Sequence, residues 1–124
     1  MAFVIVSILS FVFKEREVNA NVIYASIVTY LLLAIMWGFI FKIIEAVHPG
    51  SFFVPEHILD KDVALSTYYS FVTITTLGYG DITPVKAVAR AFSALEAVIG
   101  QIYLVVLVAR LVGLNIAQTI GKEK

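Results

Sequence analysis

Polar and apolar residues follow one another along the chain in long blocks, and two of the apolar blocks are long enough to cross a membrane. The first block, residues 22–41, carries no charged side chain. About 20 apolar residues in a helix span the hydrocarbon core of a bilayer. Capping by Asn19 or Asn21 and a Pro-Gly stop at residues 49–50 predict a helix over about residues 22–48.

The second block, residues 85–112, is interrupted by polar and charged side chains. Spanning helices usually turn such groups toward a bundle interior or a water-filled cavity. With Pro84 as a first-turn proline, the block predicts a helix over about residues 85–113, followed by a short tail over residues 117–124. The interruptions are Arg90, Glu96, Gln101 and Arg110.

Between these blocks lies a polar loop, about residues 49–62, and then a short apolar stretch rich in Thr. Asp62 is a suitable N-cap for this stretch, which predicts a helix over about residues 63–75. About a dozen residues are too few to span a bilayer, so we expect a re-entrant helix that enters and leaves on one side. A Gly-Tyr-Gly-Asp sequence follows at residues 78–81.

Residues 1–21 form a separate region, with an apolar run over residues 3–13 and a charged connector over residues 14–17. The run is too short to span a bilayer by itself. A signal-peptide core would need a basic n-region and a small-residue cleavage site, and an interfacial helix would need a polar face. We favour the end of an upstream transmembrane helix, and both alternatives stay open.

Composition strengthens the membrane interpretation. Hydrophobic residues make up 60% of the 124 residues, against about 45–50% in soluble domains, and a small soluble domain could not bury so much apolar surface. The net charge is zero and there is no basic cluster, so no nucleic-acid partner is predicted. The chain has no Cys, nucleophile–base pair, phosphate loop or metal-ligand spacing, which argues against an enzyme.

Residues 73–81, Thr-Ile-Thr-Thr-Leu-Gly-Tyr-Gly-Asp, resemble the signature of potassium channels, whose usual form is Thr-Val-Gly-Tyr-Gly-Asp. Leu77 replaces the commoner Val. The resemblance extends over about residues 22–116, the predicted pore domain. It implies an all-α membrane protein with two transmembrane helices, a re-entrant pore helix and a selectivity-filter loop over residues 76–81, assembled as a fourfold homotetramer.

The resemblance further implies a potassium-selective, multi-pass channel in the lipid bilayer of the cell membrane. Backbone carbonyl oxygens of such a filter replace the hydration shell of the permeant K⁺. Gly78 and Gly80 permit the positive φ angles that this arrangement needs, and Tyr79 packs behind the filter. The expected K⁺-binding residues are Thr76, Leu77, Gly78, Tyr79 and Gly80.

Residues behind the filter are expected to support it. Tyr68 and Tyr69 stand where many family members have a Trp pair, and Tyr69 is expected to hydrogen-bond Asp81. Plain aromatic packing is the alternative for both tyrosines. Val72 stands where some bacterial channels carry a buried Glu.

Two residues of the second block invite a specific role. A buried carboxyl either pairs or takes up a proton, so Glu96 is expected to tether the pore helix through Thr73 or Thr75. Glu96→Gln is then expected to weaken the filter or the assembly. An incidental interhelical hydrogen bond is the alternative. Gly100 stands at the spacing of the family's gating hinge, with close helix packing as the alternative. Gly113 is a weaker second hinge candidate.

One set of residues matches the side of the inner helix that faces the family's central cavity, together with the end of the pore helix. An ordinary interhelical face is the alternative for this set. The expected cavity-lining residues are Thr75, Gln101, Leu104, Val108 and Val112.

Other membrane protein classes fit less well. A potassium-uptake transporter carries several such units in one long chain, a non-selective cation channel changes the filter Tyr, and a small structural protein needs no Gly-Tyr-Gly. The Arg repeat of a voltage sensor does not occur in the sequence. We therefore expect either a bare pore or a pore regulated by a domain outside this chain.

Overall fold

The computed structural model describes residues 1–14, 19–55 and 63–122. Residues 15–17 of the predicted connector, the predicted cap Asp62 and much of the predicted outer loop lie outside the described residues. The elements, in chain order, are α1 (Ala2–Lys14), α2 (Ala20–Val47), β1 (Phe52–Phe53), α3 (Val63–Ile74), β2 (Thr83–Pro84) and α4 (Ala87–Lys122).

Two of the described helices, α2 and α4, are long and apolar enough to cross a membrane. The helix between them, α3, has 12 residues, fewer than a crossing needs. The predicted architecture of an all-α chain with two spanning helices around a short third one is therefore confirmed.

Both ends of α2 follow from the local sequence. The Val22 N–H donates to Asn19 Oδ1 at 3.0 Å, so Asn19 caps the first turn, as one of the two predicted alternatives had it. The helix ends at Val47, and Gly50 adopts a φ of 79° in the turn that follows. A positive φ favours glycine, which explains why the chain reverses here.

The start of α4 differs from the prediction. Pro84 is not a first-turn proline: it lies in β2, opposite Phe52 of the antiparallel strand β1. The Val85 N–H then donates to Ser51 O at 2.8 Å, which keeps the chain extended past the proline. The helix consequently begins at Ala87 rather than residue 85.

The end of α4 also lies beyond the predicted position. The helix continues through Gly113 to Lys122, past residue 113 and through most of the predicted tail. One glycine costs a helix about 1 kcal/mol relative to alanine. The residues on both sides of Gly113 are mostly good helix formers, so this cost does not end the helix.

Within the described residues, the chain divides into two compact units, Met1–Leu33 with Ile102–Lys124, and Ala34–Gln101. In the first unit the apolar N-terminal run forms α1, whose Ile5 and Val12 are buried. In the same unit the Tyr103 hydroxyl donates to Ser26 O at 2.7 Å, and the Tyr103 ring stacks on Tyr30.

The second unit has an aromatic core. Trp37 is buried and makes an edge contact with Phe92, so it packs within the protein rather than anchoring at a membrane interface. Phe41, Phe52 and Tyr69 form a three-way cluster with ring centroids 5.0–5.5 Å apart. This core joins α2, β1 and α3.

Candidate functional site

The segment that follows α3, residues 76–81, is called the filter segment here. Its start is tied to the last turn of α3 by two backbone hydrogen bonds, Thr76 N–H to Thr73 O at 2.9 Å and Gly78 N–H to Val72 O at 3.2 Å. The Ile74 side chain is buried at the junction. The position of α3 therefore determines the position of the filter segment.

The backbone of the filter segment alternates in handedness. Thr76, Gly78 and Gly80 have φ angles of 57°, 58° and 78°, whereas Leu77 and Tyr79 between them do not have positive φ. Alternation between right- and left-handed residues collects the N–H groups on one side of a chain and the carbonyl groups on the other. The segment can thus offer a row of carbonyl oxygens to a cation.

Positive φ was predicted at Gly78 and Gly80 and is confirmed there. It was not predicted at Thr76, because a β-branched residue in this region costs about 1–3 kcal/mol. The sequence carries no local signal for this strain. Its positive φ continues the alternation seen at Gly78 and Gly80.

The filter segment is open on one side in the single chain. Leu77 and Tyr79 are 56% and 67% exposed, and Thr76, Gly78 and Gly80 are exposed as well. The predicted packing of Tyr79 behind the segment is therefore not made by this chain's own residues. The Leu77 side chain and the Tyr79 ring thus lie on the surface of the single chain.

The tyrosine that holds Asp81 is Tyr68, and the prediction of Tyr69 in that role is wrong. The Tyr68 hydroxyl donates to Asp81 Oδ2 at 2.6 Å. The Tyr69 hydroxyl is instead 2.7 Å from Ser93 Oγ on α4. Successive residues of a helix point about 100° apart, so only one of the pair faces the filter segment, and the sequence alone does not say which.

The hydrogen bond between Tyr68 and Asp81 also changes the pKa of both side chains. Donation to Asp81 raises the pKa of Tyr68 to about 12. The same hydrogen bond lowers the pKa of Asp81 below its ordinary value. Asp81 Oδ1 additionally accepts the N–H of Ile82 at 3.0 Å. The carboxylate thus remains ionised and oriented at the end of the filter segment.

Glu96 does tether α3, through a residue that the sequence analysis missed. It is wholly buried, and its Oε1 is hydrogen-bonded to Ser70 Oγ. The predicted partners Thr73 and Thr75 are wrong, and the Thr75 hydroxyl donates within α3, to Phe71 O at 2.6 Å. The polar Ser70 within a largely apolar stretch was the sequence signal that could have identified it as the partner of Glu96.

Gly100 allows a close approach between α4 and the end of α3. A Cβ at Gly100 would lie 2.6 Å from Ile74 Cγ1 and 2.7 Å from Ile74 O. The close-packing alternative is therefore supported, whereas the hinge stays a prediction. Gly38 approaches Thr67 in the same way, with a built Cβ 2.8 Å from the Thr67 Cα. Neither contact could be predicted from the sequence without knowing the helix pairings.

A second carboxylate organises the turn after α2. Glu45 accepts the N–H groups of Gly50 and Ser51 at 2.8 and 2.9 Å and that of Phe52 at 3.3 Å. These bonds satisfy the backbone donors that the turn exposes. This role of Glu45 was not predicted, although a glutamate shortly before Pro49 and Gly50 was a usable signal.

The remaining predicted site residues are placed as follows. Val72 is buried, as a supporting residue would be. Thr75, Gln101, Val108 and Val112 are exposed and Leu104 is half-buried, so these side chains offer surface on the chain. A water-filled cavity along them stays a prediction.

A family model described as ion channel matches residues 29–116. The chain belongs to the ion-channel family. The matched range includes most of α2, all of α3 and the filter segment, and most of α4. Membership identifies a membrane channel protein rather than an enzyme. No curated protein and no solved structure matches the chain.

Proposed function

We propose that the chain is the pore-forming subunit of a K⁺-selective channel of the cell membrane, in which four copies surround one conduction path. The observation that carries the proposal is the alternating handedness at Thr76, Gly78 and Gly80 in an exposed segment directly after α3. Such a backbone turns carbonyl oxygens to one side, as dehydration of a cation in a pore requires.

The physical demand on the filter is large. Stripping water from a monovalent cation without compensation costs tens of kcal/mol. Rings of carbonyl oxygens compensate for it, and one chain supplies only a fraction of each ring. The K⁺ ligands in this proposal are the carbonyls of residues 76–80, with the Thr76 hydroxyl at the inner end.

Exposure of the single chain supports assembly with further copies. Only 6% of the apolar window of α4 is buried within one chain, against 39% for α2. Leu77 and Tyr79 are likewise uncovered. A fourfold ring would cover the filter segment and part of α4 with neighbouring copies, and lipid would cover the remaining apolar surface.

Two features favour K⁺ over unselective cation conduction. Tyr79 stands between two left-handed glycines, so the alternation is unbroken. Tyr68 fixes the Asp81 carboxylate at the end of the segment, which restrains its outer end. In addition, the C-terminal end of α3 precedes the segment, and its partial negative charge stabilises a cation in the cavity below.

The test is ion flux from liposomes that contain the purified chain, with K⁺ and Na⁺ gradients measured separately. We expect K⁺ flux that Ba²⁺ blocks, and Na⁺ flux near that of empty liposomes. Equal K⁺ and Na⁺ flux would contradict selectivity and favour an unselective cation channel. Crosslinking in the same liposomes should give a ladder that ends at four copies, and a ladder that ends at two would contradict the fourfold ring.

A further inference from the structure

Three helices meet at one hydroxyl group in the second compact unit. Ser70 Oγ of α3 lies 2.6 Å from Ala34 O of α2 and is also hydrogen-bonded to Glu96 Oε1 of α4. All three residues have no exposed surface. The hydroxyl is thus the point at which the helix that carries the filter segment is attached to both spanning helices.

A count of protons assigns the state of the carboxyl group. A serine hydroxyl has one hydrogen to donate, and the Ala34 carbonyl can only accept. If Glu96 were ionised, two acceptor oxygens, Ala34 O and Glu96 Oε1, would compete for this single hydrogen, and one of the two contacts would join two oxygens with no hydrogen between them. If Glu96 is protonated, each contact has its own hydrogen.

We propose that Glu96 is a neutral carboxylic acid that donates to Ser70 Oγ, while the Ser70 hydroxyl donates to the Ala34 carbonyl. The two bonds form a relay from α4 through α3 to α2. Glu96 is then a positioning residue, because it sets the place of α3 and touches no permeant ion. Its effect on conduction rests on the proposed function, whereas its protonation does not.

The surroundings of Glu96 agree with a neutral group. Its second oxygen, Oε2, is buried and has no hydrogen-bond partner among the described residues. An ionised carboxylate with a bare oxygen in such a place is costly. The ionisable side chain that acts on Glu96 from α3 is Tyr69, bonded to Ser93; α2 faces the relay with the Ala34 carbonyl. Neither supplies a positive charge to favour the ion.

Glu45 provides a matched contrast within the same unit. It accepts three backbone N–H groups and has no acceptor opposite its oxygens in these bonds. The Glu96 oxygen instead faces a hydroxyl that has its own acceptor in the Ala34 carbonyl. The two glutamates therefore differ in the hydrogen-bond partners of their carboxyl oxygens, although both lie within helices.

The first experiment measures protonation directly, by infrared spectroscopy of the full chain in lipid at neutral pH. Subtracting the spectrum of Glu96→Gln from that of the unaltered protein should reveal the C=O band of a protonated carboxyl. The same subtraction with Glu45→Gln is the control and should not reveal that band, because the Glu45 oxygens accept backbone N–H groups. Carboxylate bands alone in the Glu96→Gln difference would overturn the proposal, whether or not the protein conducts K⁺.

The second experiment asks whether donation matters, by comparing Glu96→Gln with Glu96→Ala. A glutamine amide can still donate to Ser70 Oγ, so we expect assembly stability and K⁺ flux within about twofold of the unaltered protein. Alanine removes the donor, and flux should fall about tenfold or more. This reverses the expectation from the sequence that an amide at this position weakens the filter. A glutamine variant as impaired as the alanine variant would overturn the relay.

Discussion

The buried side of α3 and the exposed side of the filter segment that follows it are built in different ways. Behind the segment, α3 is fixed to α2 and α4 by the buried Ser70 hydroxyl and by two glycine contacts. On the other side, Leu77 and Tyr79 are exposed. In the proposed fourfold channel, one chain would therefore supply a complete scaffold and only part of the ion site.

This difference separates two kinds of residue. Substitutions on the buried side should act within each chain, on the stability and position of α3. In the proposed fourfold channel, substitutions on the exposed side should act where copies meet, and their cost would be repeated in each copy. The largest effects on selectivity are therefore expected in the filter segment, and smaller effects at the scaffold contacts and at the Tyr68 bond.

The largest effect is expected from Gly78→Ala, with Gly50→Ala as its control. Both glycines have positive φ, 58° and 79°, and a Cβ at either meets nothing within 4 Å, so they differ in place and not in crowding. An L-residue there costs about 1–2 kcal/mol per chain, and the proposed fourfold assembly would repeat this cost in each copy at Gly78. We expect K⁺ flux to fall at least about a hundredfold.

Gly50→Ala should leave the ratio of K⁺ to Na⁺ flux unchanged, because its strain lies in the turn after α2. Liposome flux with both ions measures the two variants side by side. Unaltered selectivity in Gly78→Ala would contradict the carbonyl assignment. Loss of selectivity in Gly50→Ala would show that the turn, and not the filter segment, controls the ion.

The next effect concerns Gly100→Ala, with Gly113→Ala as its control on the same helix. The added methyl would press on Ile74 at residue 100 and meets nothing at residue 113. Overpacking costs about 1–3 kcal/mol, whereas alanine in an open helix position gains about 1 kcal/mol over glycine. The temperature of thermal unfolding in detergent should therefore fall for Gly100→Ala and rise slightly for Gly113→Ala.

This pair also separates packing from the hinge. If Gly100 serves only as a hinge, Gly100→Ala should lower the open probability in single-channel recordings with no loss of thermal stability. If it serves packing, stability falls and selectivity suffers with it, because Ile74 leads directly into the filter segment. If Gly100→Ala and Gly113→Ala had the same thermal stability and the same open probability, the close contact between Gly100 and Ile74 would be contradicted.

The predictable part of the structure is that which depends on neighbours in sequence. Helix α2, its cap at Asn19 and the positive φ of Gly78 and Gly80 all follow from local patterns. Pro84 misled the prediction because its strand partner lies about thirty positions earlier in the chain. Local rules for proline fit the first turn of a helix and an edge strand equally well.

The parts that could not be predicted depend on rotation and pairing of helices. The choice between Tyr68 and Tyr69, and between Ser70 and the two threonines, turns on about 100° of rotation per residue of α3. Composition and family resemblance identify such a helix without fixing its rotation. Thr76 is different, since its positive φ runs against the preference of a β-branched residue and has no local sequence signal.

The smallest effect is expected at the corrected contact, from Tyr68→Phe with Tyr69→Phe as its control. The bond from Tyr68 lowers the Asp81 pKa below its ordinary value of 3.8, so the ionised acceptor contributes stability above that value and loses it as the pH falls through the lowered pKa. Tyr68→Phe should raise the Asp81 pKa toward 3.8, which NMR of the carboxyl carbon measures. We also expect a modest loss of K⁺ selectivity at neutral pH. Tyr69→Phe should leave the Asp81 titration unchanged, because its hydroxyl is bonded to Ser93. The opposite result, with the shift in Tyr69→Phe alone, would restore the assignment made from the sequence.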